Sequence, residues 1–100
     1  MVNILSTKDI QLTIAKRLKE ARLSANLTQL SLSLRTGISL GSLKRFERVG
    51  EISFKGLVQL AFALRMEDDI ASLFLPQQKA SLDALLEQTK NTQRQRGRKS

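Results

Sequence analysis

Between Thr28 and Arg48 the chain reads TQLSLSLRTGISLGSLKRFER, and only Thr36, Gly37 and Ile38 separate two stretches with helix signals. So short a connection leaves no room for a long-armed hairpin, and a turn that tight needs a residue tolerating positive φ without strain. Gly37 stands at that point. Thr28 and Ser39 offer hydroxyl caps, so one helix is expected from Thr28 to about Arg35 and the next from Ser39 to about Arg48, with Gly50 as its stop. Leu32, Ile38, Leu43 and Phe46 fall where they face inward and lock the pair together. Ser33 is small where the second helix crosses closest.

The rest of the chain extends the same pattern. There is one proline, Pro76, and no alternating run rich in valine or threonine, so strands are not expected. A first helix starts near Thr7, where Ser6 is a hydroxyl cap with an acid three residues later. Its inner stripe is expected at Ile10, Ile14, Leu18 and Ala21. Ser53 caps a fourth helix with Phe54, Leu57, Ala61 and Leu64 inside. Asp68 and Asp69 favour the start of a fifth, where the helix dipole stabilises negative charge; it carries Ile70, Leu73 and Phe74 before Pro76 stops it. Leu82, Leu85 and Leu86 share one face of a weaker final helix. The expected fold is all-α: a compact domain of five to six helices over residues 1–76, a helical extension over 77–89, and a flexible basic tail over 90–100.

Composition narrows the function classes. The chain has 100 residues, no cysteine and no histidine. Disulfides, thiolate metal sites, thiol nucleophiles, histidine zinc sites and histidine-dependent triads are therefore excluded. Three adjacent acids, Glu67 to Asp69, suit helix capping better than acid–base chemistry, so neither an enzyme nor a cofactor is expected. No run reaches the ~18 apolar residues of a membrane span, and the first nine residues lack a signal-peptide pattern. A cytoplasmic location fits. Lysine and arginine number 17 against 9 acids, an excess that favours a polyanionic partner. Residues 1–64 carry ten basic and four acidic side chains, 65–89 two and five, and 90–100 five and none.

Two short helices at a sharp turn make a helix-turn-helix, whose second helix lies in the DNA major groove. An ordinary αα turn inside a bundle uses the same chemistry. From Ile14 to about Phe74, RLKEARLSANLTQ and GISLGSLKRFE resemble the Xre/Cro-type helix-turn-helix family of phage and bacterial repressors. The resemblance implies that Gln29 bonds a backbone phosphate from the start of the second helix. It also implies an ion pair between Arg22 and Glu47 that ties the first helix to the third.

A recognition helix presents its opening residues and the outer face one turn later. Here those are Leu40, Gly41, Lys44 and Arg45. Arg45 is the strongest candidate for base reading, because a guanidinium grips guanine O6 and N7 bidentately; Lys44 suits either guanine or phosphate. Ser39, Ser42 and Arg48 are better placed for the DNA backbone. Leu40 and Gly41 depart from the family, where polar base-readers are common. Leucine packs on a thymine methyl, whereas glycine contributes no side chain. Either Gly41 lets the helix approach closely or the chain reads few bases directly and relies on DNA shape. In the tail, Arg96-Gly97-Arg98 resembles the core of an AT-hook, though Lys99 stands where a proline usually follows. A solubilising basic tail that attracts phosphate is the alternative.

Ile70, Leu73, Phe74 and Leu75 exceed what one thin helix buries in its own domain, and the resemblance implies a homodimer seam there, with simple core packing as the alternative. Two recognition helices about 34 Å apart would match a palindromic operator on double-stranded DNA. Leu30 and Leu34 share a face of the second helix beside Leu27, which suggests a protein-binding patch. SFKGLVQLAFALRMEDDIASLF resembles the end of HipB-type domains, antitoxins that repress their own operon and hold a HipA-like kinase toxin. The expectation is therefore a dimeric repressor of that kind. The competing reading is an interaction protein whose leucine faces bind a partner with little DNA reading. An RNA-binding role fits less well, since tyrosine and tryptophan are absent and all four phenylalanines suit buried positions.

Overall fold

Ser6, Thr28, Ser39 and Ser53 each accept a hydrogen bond from the backbone N–H three residues on, and each starts a helix. The computed structural model describes residues 6–76. The helices are α1 (Thr7–Ser24), α2 (Gln29–Thr36), α3 (Leu40–Val49), α4 (Phe54–Ala63) and α5 (Glu67–Ala71), with no strand among the described residues. Only α5 starts without a side-chain cap; Glu67, Asp68 and Asp69 fill its first turn instead. The all-α expectation holds. The expected sixth helix over 77–89 and the basic tail with Arg96 and Arg98 lie outside the described residues.

The helix ends follow one logic. Gly37 (φ 82°) closes α2 and Gly50 (φ 80°) closes α3, both left-handed. Asn26 (φ 59°) and Arg65 (φ 61°) take the same conformation after α1 and α4. There the N–H of Leu27 reaches the carbonyl of Arg22 at 3.1 Å, and that of Met66 reaches Ala61 at 2.7 Å. Both are Schellman closures, which satisfy carbonyls that a helix end leaves open.

The core sits where α1 and α2 meet α3, with α4 packed beneath α2 and α5 on α4. Phe46, Leu32, Leu43 and Leu60 are its largest fully buried side chains, joined by Ala15 and Leu18. Ile38 packs against them from the turn, as expected. Buried Ser33 does more than stay small: its hydroxyl donates to the carbonyl of Ile38 at 2.6 Å. Thr36 Oγ1 donates to the carbonyl of Leu32 at 2.8 Å and accepts from the N–H of Ile38 at 3.1 Å. Two side chains before Gly37, Ser33 and Thr36, thus pin the backbone of Ile38 just after it.

Three inner faces differ from the sequence pattern. On α1 the buried residues are Ala15, Leu18 and Arg22, while Ile10 is exposed. The helix is rotated so that Arg22 reaches α3. On α4 the buried face runs through Gly56, Leu60 and Ala61, and Phe54 lies exposed at its start. Gly56 is invisible to a hydrophobic count, yet a Cβ there would stand 2.8 Å from Ile52 Cγ1. Helix α5 stops at Ala71, so Leu73 and Phe74 lie beyond it, with Phe74 itself at φ 62°. Of the four phenylalanines only Phe46 is buried; Phe54, Phe62 and Phe74 are exposed. Their exposure removes one argument made above against stacking on bases.

Candidate nucleic-acid interface

Helix α3 is held on its inner side by Leu43 and Phe46 and at both ends by caps. What faces away from the core is Gly41, Ser42, Lys44, Arg45 and Arg48, all exposed, with Leu40 half-buried at the edge. No acid stands among them. Gly41 and Arg45 are one turn apart on the same face, and helical side chains lean towards the preceding turn. Gly41 therefore leaves the turn in front of Arg45 bare, and the Arg45 side chain does not cover it. A Cβ at Gly41 would meet nothing within 4 Å, and its φ is not positive. The fold makes no demand for glycine here, in contrast to Gly37, Gly50 and Gly56.

Behind α3 the expected ion pair is present and more elaborate than expected. Arg22 Nε donates to Glu47 Oε2 at 2.7 Å and a terminal nitrogen to Oε1 at 2.9 Å. The other terminal nitrogen donates to the carbonyl of Leu27 at 2.8 Å. Gln29 Nε2 adds a third bond to the carboxylate, to Oε1 at 2.9 Å. The two charged side chains are only 7% and 6% exposed. Gln29 is thereby turned towards the protein, so its side-chain amide braces α2 against α3; the first backbone amides of α2 remain the donors its N-terminus offers to an anion.

A cleft of about 470 Å³ opens between the starts of α3 and α4. Ser39, Ser42 and Arg45 line it from α3, Ser53 and Lys55 from α4, and Glu51 from the link between them. Neither helix has an acid in its first turn, so the carboxylate that faces their positive dipole ends in the cleft is Glu51 from the link. Arg45 forms an ion pair with Glu51 across the cleft, both side chains about half exposed. Sequence reading missed Glu51 and Lys55. Glu51 follows the stop at Gly50, and nothing in spacing alone ties it to a residue six positions earlier. Lys55 carried a weak signal, a cation in the first turn of a helix where the dipole disfavours one.

The remaining expected contacts divide. Ser39 is occupied as the α3 cap and also donates to Ser42 Oγ at 3.0 Å. Leu73, Phe74 and Leu75 are exposed and Ile70 half-buried, at the far end of the chain's described part. Leu30 and Leu34 are 54% and 75% exposed on α2, but Leu27 packs into the core and is no part of that patch. No group of acidic side chains that could hold a metal is found among the described residues, and no described helix is long and apolar enough to cross a membrane. No protein-family model matches the chain, and no curated protein or solved structure shows significant similarity to it.

Proposed function

We propose that the chain is a dimeric, sequence-specific DNA-binding repressor, acting on its own operon as a HipB-like antitoxin. The observation that carries the reading is the outward face of α3. A ten-residue helix, braced from behind by the buried Arg22–Glu47 pair and by half-buried Gln29, presents Lys44, Arg45 and Arg48 around an uncovered Gly41. Packing does not require these cations, and a helix that offers exposed cations and no acid of its own on its outward side suits a groove lined by phosphates. Arg45 is the base reader in this scheme, Lys44 binds base or phosphate, and Arg48 and Ser42 bind the backbone. Leu73, Phe74 and Leu75 supply the seam of the homodimer, and a HipA-like kinase toxin is the further partner.

The test is binding to a labelled duplex from upstream of the chain's own gene against a scrambled duplex, at low and physiological salt. The expected result is a preference of about a thousandfold, within the range of specific regulators, narrowed by Arg45→Ala. Equal binding to both duplexes that collapses with salt would leave only phosphate attraction.

A second reading draws on Leu30 and Leu34. Two exposed leucines one turn apart on α2 favour a protein-binding face, in which case the chain is an interaction subunit with little specific DNA reading. It predicts that Leu34→Asp abolishes partner binding while Arg45→Ala leaves it intact.

A further inference from the structure

We propose that Glu51 is a positioning residue for Arg45: it holds one edge of the guanidinium and thereby aims the other edge at a base. The inference rests on the DNA-binding reading of α3 but concerns how that helix discriminates. Arg45 has a long side chain with a bare turn in front of it, since Gly41 offers it no packing. Left alone, such a side chain samples many rotamers and meets phosphate as readily as base. Glu51 restricts it. A terminal nitrogen of Arg45 donates to Glu51 Oε1; that bond takes one of its two N–H groups, and the second, together with the N–H of a neighbouring nitrogen, still forms an edge for the two-pronged grip that guanine O6 and N7 accept.

The placement of Glu51 gives the contact a second consequence. It is the one acid lining the cleft between the starts of α3 and α4, beside Lys55 and two helices whose own first turns carry no acid. A carboxylate there repels phosphate, so it weakens sequence-independent attraction while ordering the one side chain best suited to read sequence. Both effects raise the ratio of specific to non-specific binding. Its link is short and rigid: Gly50 at φ 80° ends α3 and Ser53 caps α4, which keeps Glu51 within reach of α3. Glu51 makes no contact with the core, so removing its charge is not expected to unfold the domain.

The experiment uses the full chain and the duplex that wild type enriches most from a random-sequence pool, with a shuffled duplex of equal composition as control. Wild type, Glu51→Gln, Arg45→Ala and the double variant are compared at two salt concentrations. Glu51→Gln should lower the specific-to-shuffled ratio about five- to tenfold, tighten binding to the shuffled duplex, and steepen its salt dependence by about one released counterion. In the Arg45→Ala background the ratio should not respond to Glu51→Gln, because nothing remains to be aimed. An unchanged ratio overturns the inference but not the DNA-binding reading. A higher ratio overturns it too, since Glu51 would then sequester Arg45 from DNA. If wild type enriches no sequence at all, both fall together.

Discussion

Arg22 and Glu47 face each other from α1 and α3 with two parallel charge-assisted hydrogen bonds, and the pair is almost wholly removed from water. Such a pair is a better device for register than for stability, since desolvation offsets much of the attraction. Its geometry explains why α1 turns Ala15 and Leu18 inward rather than Ile10.

Breaking the pair on one side leaves a buried charge without its partner. Arg22→Ala is expected to destabilise the domain by roughly 3–5 kcal/mol, read as a shifted urea midpoint at unchanged slope. Replacing both, as Arg22→Met with Glu47→Leu, should recover most of that loss. It should not recover all of it, because the Leu27 carbonyl loses the Arg22 bond and Gln29 loses Glu47. A double variant no more stable than Arg22→Ala would show that the carbonyl and amide bonds dominate.

The described glycines separate cleanly under substitution. Gly50→Ala combines a left-handed backbone with a Cβ only 2.8 Å from Gln11 Cβ and 2.9 Å from the Gln11 carbonyl carbon. It should cost about 2–4 kcal/mol. Gly41→Ala meets no neighbour and restores helix propensity, so it should stabilise by about 0.5 kcal/mol, or roughly 2–4 °C in melting temperature. If α3 reads DNA, the same added methyl weakens specific binding. Stability and affinity would then move in opposite directions, and a Gly41→Ala variant that improves or preserves both argues against close approach at this turn.

Much of this fold is legible because caps are local chemistry. Four hydroxyl residues marked four helix starts, and Gly37 and Gly50 marked two ends, with no knowledge of tertiary structure needed. The inner faces were harder, for two physical reasons. Arg22 counts as polar although it is buried by pairing, and Gly56 counts as nothing although Ile52 closes over it. At the candidate interface, the exposed cations of α3 were readable from helical spacing. Their partners were not: Glu51 reaches Arg45 through a bend, and Gln29 chooses Glu47 over solvent because α2 and α3 bring them to 2.9 Å. Helix α5 is shorter than its apolar spacing predicts: Leu73 and Phe74 have the spacing of a helix face, whereas the backbone leaves the helix before them.

Arg65 offers a stabilising change. It closes α4 at φ 61°, a conformation that strains a residue bearing a Cβ, and it is exposed. Arg65→Gly keeps the Met66-to-Ala61 bond while relieving that strain and should stabilise by about 1 kcal/mol. Thermal melts of the two chains check this. A lower melting temperature would mean that the arginine side chain contributes more than its backbone costs.

The last prediction concerns the apolar end of the described chain. Phe74 is 94% exposed and Leu75 63%, an arrangement that a lone domain gains nothing from. If these residues meet their copies in a second chain, burying them supplies the hydrophobic centre that a stable interface needs. Leu73→Asp with Phe74→Asp should then convert a dimer to a monomer in analytical ultracentrifugation. Because neither residue belongs to the core, the helical signal and cooperative unfolding should survive in the separated chains. DNA affinity should fall steeply on a two-half-site duplex and little on a single half-site, since each chain keeps its own α3. A wild-type chain that sediments as a monomer at 100 μM protein, or a double variant that stays dimeric, would move the seam elsewhere, with exposed Phe62 on α4 the next surface to alter.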